Sequence, residues 1–540
     1  MLSTKVEPHQ LPSLGSFVRG KDVESGKWVY SLSARAVLDD SFANLTLKRN
    51  LEAGRVSAAD VPPGVLVGRV SVAEPDTVLD ALAAAAEATR IWRSAPLSVR
   101  LEDWNRLLRE AIHDNERELI DMLTLEGHPL ELARWELSGM YELTRPETTG
   151  FLRSQLWQEF AIGARRNIIR RQPDGVVCVN PPANAPLVSA LLGVTSIAGG
   201  NAVVVRAPRT APFGVSSVLR NVIAPVLDEL GAPPGLLNIV CGHPGPMLDA
   251  WIVSEHVDDI MYFGDVGPGL KIERRCVEAG KKPILELAGN DIVLVWRDAD
   301  LPRAADAIVE GFYGSGQLCM VPNRAVVHPA VADELIELVK ARAAALKPGY
   351  PDKEGVLLSP VLRHDKFNRY LEDAVEKGAT VVTGGGGMQI DGTPDEAGFF
   401  LQPTVLRVDG LSRAGELSAV ADETFFPLMP IIVPHPAEDA VLFDSFLDFV
   451  NGSPFGLRNS LWASDDAVID RFVGQTVKGG LLKVNDSHIA FTAPLPSHGG
   501  TGLTGGAFGE ANFPVLRTTH LQGVSIIRPE HREGHDAHTR

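Results

Sequence analysis

The 540-residue chain is poor in cysteine, with four, at Cys178, Cys241, Cys276 and Cys319. None belongs to a C-x-x-C pair, and their wide spacing spells neither a zinc-binding set nor a disulfide framework. No metal site is expected, and reduced thiols of a cytoplasmic protein are the plain reading. Positive charge is also scarce: 51 Lys and Arg stand against 68 Asp and Glu, a net charge of −17. That balance disfavours nucleic acid or an anionic membrane as the main partner. Long apolar runs are missing too. The most apolar stretch, 185–205, is broken by Ser189, Thr195, Ser196 and Gly199-Gly200-Asn201. It reads as a buried helix, a turn and a strand, not as a membrane span. The opening MLSTKVEPHQLPSLG has no apolar core of signal-peptide length. Neither an internal repeat nor a low-complexity tract is evident, and no G-x-G-x-x-G follows the first clear strand.

What is present is a regular alternation. Residues before about Asp60 show no firm periodicity and stay unassigned. Val78, Leu82, Ala85, Ala88 and Trp92 then recur at helical spacing, with Asp76 read as the N-cap behind Pro75. A second amphipathic helix carries Leu101, Trp104, Leu107, Leu108 and Ile112 on one face. From Gly175 onward, short β-branched runs alternate with helices. Strands are read at 176–179, 202–206, 236–240, 259–263 and 283–287, with helices at about 186–197, 214–230 and 247–254 between them. Such alternation with fully apolar strands predicts a parallel sheet covered on both faces. Ligands of such sheets sit beyond the carboxyl ends of the strands, so the loops after Asn180, Arg206, Phe263 and Leu287 are where function is sought. A second α/β segment runs from about Ile292 to Asp486, with strands at 292–296, near Thr380 and near Ile431. The tail PEHREGHDAHTR is polar and reads as a disordered terminus.

Three segments carry chemistry. In Gly314-Ser-Gly-Gln-Leu-Cys319, small residues let the backbone bend and a substrate approach the sulfur. A lone cysteine is more often a small buried hydrophobe than a nucleophile. Glu286-Leu-Ala-Gly289 puts a carboxylate, costly to bury, at a strand end. Asn180-Pro-Pro-Ala-Asn184 offers a side-chain amide able to hold an oxyanion, or else a turn-capping asparagine.

In order and spacing these segments resemble the aldehyde dehydrogenase superfamily, over roughly Asp76 to His520. Cys319 matches the nucleophile of its G-Q-x-C motif, Glu286 the general base of E-L-G-G, and Asn184 the oxyanion asparagine. Glu423-Thr-Phe425-Phe-Pro427 looks like E-x-F-G-P, whose glutamate holds the nicotinamide ribose and whose phenylalanine packs near the ring. Asn451 to Leu457 is similar to N-x-x-x-Y-G-L, and Ser497-His498-Gly499-Gly500 stands where the family has P-F-G-G. The resemblance implies oxidation of an aldehyde, a semialdehyde among the candidates, to an acid through a thiohemiacetal and a thioester on Cys319. The cofactor would be NAD or NADP, contacted by Arg206, Pro208, Arg209, Gly245, Gly264, Asp265, Gly269, Leu287, Glu423 and Phe425.

It also implies an α/β fold: a Rossmann-type cofactor domain (1–149 and 171–287), an α/β catalytic domain (288–492) and a β-ribbon arm (150–170 and 493–530), followed by a disordered tail (531–540). The arm's exposed strand edges imply a homodimer or homotetramer.

The departures are informative. The family's K-P-S-E reads Arg206-Ala-Pro208-Arg209 here. An arginine in place of the ribose-binding glutamate favours NADP over NAD, since guanidinium groups bind phosphate bidentately; the alternative is an Arg209 that points into solvent and discriminates nothing. Asp265 replaces a serine that faces the pyrophosphate, which would repel it. Ala185 and His498 replace large aromatic residues and imply a wider or more polar substrate tunnel, unless His498 is simply a packing residue. A CoA-acylating enzyme generally lacks the base present as Glu286, and a non-catalytic scaffold predicts loss of the nucleophile, the amide or the base; both remain as alternatives.

Overall fold

The computed structural model describes residues 11–528. The tail reading at 531–540 lies outside the described residues. Two seven-stranded sheets dominate. In the first, the order is Lys282–Glu286, Asp259–Phe263, Val176–Asn180, Ala202–Ala207, Leu237–Cys241, Ser16–Val18 and Lys21–Val23. The first five run parallel. Nearly every residue of these five is buried, which is why each reads as an unbroken apolar run instead of an alternating one.

The second sheet has the order Thr380–Thr383, Thr404–Asp409, Leu428–Val433, Pro322–Val327, Asp291–Val295, Arg458–Trp462 and Leu481–Val484. Only Thr380–Thr383 runs antiparallel to its neighbour. One large apolar cluster packs around the first sheet, and two further clusters pack on the second. The α/β class read from the sequence is therefore the observed one, with parallel strands at the centre of both sheets.

A third, antiparallel sheet joins Thr519–Ile527, Arg165–Pro173 and Trp157–Ile162. It leaves Trp157, Phe160, Ile162 and Leu521 exposed. No helix among the described residues is long and apolar enough to cross a membrane.

Several local readings change. Helix Pro75–Trp92 has Glu74 at its N-cap and Asp76 in its first turn. Proline has no N–H to satisfy and its fixed φ suits the first helical position, which moves the cap back by two residues. The helix read at 214–230 is interrupted: Pro212–Val218 and Ala224–Glu229 flank a wide turn, Leu219–Ile223, beside Pro225, which cannot donate an intrahelical bond. The unassigned start of the chain holds strand Trp28–Leu32 and helices Ala34–Asp39 and Ser41–Glu52.

Candidate active site

The carboxyl ends of the first sheet's strands open into a cavity of about 760 Å³. Asn184 and Cys319, from two separate loops, and Glu286, from the end of a strand, all line it. Arg206, Gly245, Gly264, Asp265, Leu287, Glu423 and Phe425 line it as well. Pro208, Arg209 and Gly269 do not.

Cys319 is presented by a tight turn. Gly314, Ser315 and Gly316 all have positive φ, at 60°, 57° and 71°. A side chain on Gly316 would meet the Phe426 carbonyl oxygen at 2.2 Å, so both its conformation and its surroundings demand glycine. Ser315 adopts the left-handed region at a cost, offset by hydrogen bonds from its hydroxyl to the Ser359 carbonyl (2.6 Å) and from the Ser359 N–H to its hydroxyl (3.0 Å).

The Cys319 thiol lies 3.7 Å from Glu286 Oε1 and donates to it. Glu286 ends strand Lys282–Glu286, is 7% exposed, and accepts with its other oxygen from the Gly499 N–H at 2.8 Å. Asn184 precedes helix Pro186–Val194 and spends one N–H on the Gln317 carbonyl at 3.0 Å. An amide has a second N–H, so this bond fixes the side chain beside the Cys319 turn without exhausting it.

Burial pushes the Cys319 thiol well above its ordinary range; Glu286, Glu423 and Asp291 push it the same way, and Arg458 opposes them. Burial and these three acids thus favour the thiol over the thiolate. Burial likewise pushes Glu423 up to about 8, although its Oε1 accepts from the Gly289 N–H at 3.0 Å and Lys366 opposes the shift. His498 lines the cavity, is 6% exposed and pairs through Nδ1 with the Ser497 hydroxyl at 2.7 Å. Burial holds it below the usual imidazole range, so it is a neutral polar wall.

Gly269 and Arg209, both expected at the cofactor, make their contacts within the protein. Gly269 sits in helix Val266–Glu278, where a side chain would strike the Leu287 side chain at 2.3 Å. Its smallness lets the helix approach the strand end, and Leu287 takes the cavity position. Arg209 pairs with Glu52 at 3.0 Å, and Lys48 donates to the carbonyls of Arg209 and Thr210 at 3.0 and 2.9 Å. Asp265 caps helix Val266–Glu278 without a side-chain cap bond. It is exposed at the cavity rim, where the helix N-terminus stabilises a carboxylate.

The cavity is lined both by these strand ends and by Cys319, and nothing lies within 4 Å of where a side chain at Gly245 would project. That open floor, with Arg206 and the carboxyl group of Glu423 along it, fits a dinucleotide. Sequence reasoning missed Trp135, Phe491 and Lys366 in the lining. Trp135 and Phe491 stack with ring centres 5.2 Å apart, a pairing across 356 positions that no local pattern announces.

Compared with known proteins, residues 55–515 match the model of the aldehyde dehydrogenase family, and the chain belongs to that family. Among its relatives, a vanillin dehydrogenase of Amycolatopsis sp. is 29% identical over 490 residues, covering 86% of this chain and 94% of that one. A benzaldehyde dehydrogenase [NAD(+)] of Pseudomonas putida is 29% identical over 484 residues, covering 88% and 93%. In fold the chain is similar to an NAD-dependent aldehyde dehydrogenase from Sinorhizobium meliloti, with a TM-score of 0.78, 24% identity and 98% of each chain covered. It is similar also to an NADP-dependent enzyme of E. coli, with a TM-score of 0.77, 23% identity and 97% and 100% covered.

Proposed function

We propose that this aldehyde dehydrogenase oxidises its substrate to a free carboxylic acid with Cys319 as nucleophile, Asn184 as oxyanion donor and Glu286 as general base. The observation that carries the reading is the meeting of these three side chains in one cavity, with the sulfur 3.7 Å from a carboxylate oxygen. Glu286 takes the thiol proton and releases it to solvent. The thiolate attacks the aldehyde carbon, and the second N–H of Asn184, with the Cys319 backbone N–H, holds the resulting oxyanion. A nicotinamide cofactor, when bound, would supply the hydride acceptor, and loss of the hydride from the thiohemiacetal would leave a thioester on Cys319. Glu286 then removes a proton from water as that water attacks the thioester, releasing the acid and restoring the sulfur. A base within reach of the sulfur favours hydrolysis over transfer to CoA.

For the cofactor, we keep NADP as the preferred partner. Two cations, Lys48 and Arg209, surround one carboxylate, Glu52, which supports a site for added negative charge. The reading requires Arg209 to exchange Glu52 for a phosphate. NAD-dependent and NADP-dependent enzymes both occur among the similar proteins. The apolar side chains exposed on the third sheet support a homo-oligomer in which a second copy covers them. Four cysteines without a disulfide support a reducing compartment, the cytoplasm.

The test is an aldehyde panel, including benzaldehyde-type aldehydes and semialdehydes, run with each cofactor while reduced nicotinamide is followed by absorbance. Formation of free acid without added CoA supports the reading; a strict CoA requirement refutes the hydrolytic step.

A further inference from the structure

Arg458 opens strand Arg458–Trp462 and is among the largest fully buried side chains, at 1% exposure. A buried guanidinium is costly unless its charge and its donors are used. Its Nη1 donates to the His488 carbonyl at 3.0 Å. Its Nη2 donates to the Ser497 carbonyl at 3.2 Å and to the thioether sulfur of Met320, at 2.9 Å. Nε is buried without any partner. No ion pair engages the side chain among the described residues, and Asp291 reaches only its backbone N–H, at 3.1 Å.

The guanidinium thus ties the residue after Cys319 to the segment just before Gly499, whose N–H holds Glu286. Both partners of the Cys319–Glu286 contact hang from one side chain. Around it the titratable groups are mostly acids. Cys319, Glu286, Asp291 and Glu310 act on Arg458, and Glu423 bears on Cys319 from the cofactor side. His488 and His498 are both held below the usual imidazole range by burial and contribute no charge. Lys483 faces Glu310 and Asp486 and is itself pulled down by burial. Arg458 is the cation that acts on the sulfur.

We propose that Arg458 is a positioning residue of the reaction, a buried cation that fixes the Cys319 turn against Glu286 and offsets the negative charge of the thiolate. The inference rests on Cys319 being the nucleophile. Arg458 does not line the cavity, so it acts through the sulfur and not by touching substrate. Its charge stabilises the thiolate relative to the thiol, and so sets the fraction of enzyme ready to attack.

The experiment measures the alkylation rate of the full-length protein by iodoacetamide against pH. Cys178, Cys241 and Cys276 are fully buried, and Cys319→Ala gives the background. Arg458→Gln removes the charge while keeping a donor, and Arg458→Lys keeps the charge while losing the fork. The expected result is that Arg458→Gln slows alkylation about tenfold at pH 7 and moves the pH midpoint up by about one unit, with Kd for the cofactor unchanged and kcat reduced. Arg458→Lys stays within about threefold of the parent in alkylation. Equal pH midpoints in a folded Arg458→Gln variant overturn the inference, because a purely structural arginine would lower the melting temperature without moving the thiol titration. Should Arg458→Gln fail to fold, Arg458→Lys decides: retained alkylation supports the role of charge, and a loss of about tenfold contradicts it. Aldehyde oxidation by the parent is assayed separately, so failure of this inference is distinct from failure of the assigned chemistry.

Discussion

Glu286 touches Cys319 with one carboxylate oxygen, at 3.7 Å, and the Gly499 N–H with the other, at 2.8 Å. The second bond aims the first. A carboxylate held by a backbone donor keeps its orientation while its free lone pairs face the sulfur or a water, which the two proton transfers of the proposed cycle require.

Asn184 is fixed by its bond to the Gln317 carbonyl, and its remaining N–H is the proposed oxyanion donor. Replacing it by alanine is expected to lower kcat by about a hundred- to a thousandfold with cofactor binding unchanged. Steady-state kinetics with an aldehyde that the parent enzyme oxidises, beside a cofactor titration, checks this. A loss of less than about threefold would place the amide in a purely structural role.

The Arg209–Glu52 pair, at 3.0 Å, is where the proposed NADP preference is tested. Glu52→Gln frees the guanidinium, and kcat/KM for NADP relative to NAD is expected to rise about tenfold. Arg209→Ala is expected to reverse that ratio. If both variants leave it unchanged, Arg209 does not discriminate and the NADP preference falls.

Asp265 presents a carboxylate at the rim, at the start of helix Val266–Glu278, where a pyrophosphate would feel it. Asp265→Ser is expected to lower KM for either cofactor by about three- to tenfold at low salt, the difference shrinking as salt screens the charge. Unchanged KM at low salt would mean that the side chain turns away from the ligand.

Burial pushes Glu310 up to about 7, against hydrogen bonds from Ser487, His488 and Ile489. A carboxyl raised in the folded state costs nothing below its unfolded pKa of about 4.5. Between that value and about 7 the folded protein keeps its proton while the unfolded chain loses it, so stability falls as pH rises through this window. Glu310→Gln is expected to flatten the decline of melting temperature from pH 5 to pH 8 by an amount corresponding to about 2–3 kcal/mol. An unchanged slope would assign the pH dependence to other groups.

Much of this fold is legible in the sequence because its central strands are buried on both faces. A run such as Val176–Asn180 can hardly be anything but a core strand, and its carboxyl end points to the site. The motifs around Cys319, Glu286 and Asn184 are local, and all three reach the cavity. What stays hidden depends on partners distant in the chain. Glu52 lies 157 positions from Arg209 in a segment without periodicity, so an arginine that reads as a free phosphate ligand is found in an ion pair. Gly269 reads as part of a phosphate loop, yet its contact is the Leu287 side chain. Arg458 follows a glycine-leucine pair, and nothing in its neighbours reveals that both faces of its strand are covered.

The central claim is that the oxidation passes through an acyl group on Cys319 that Glu286 helps to hydrolyse. It is tested most directly by intact-protein mass spectrometry of Glu286→Gln after mixing with oxidised cofactor and an aldehyde that the parent enzyme oxidises. The account predicts one burst of reduced nicotinamide per active site, slow turnover, and an added mass equal to the aldehyde less two hydrogens, located on Cys319 and absent from Cys319→Ala. Steady acid production by Cys319→Ala, or full turnover by Glu286→Gln without a covalent species, would contradict it.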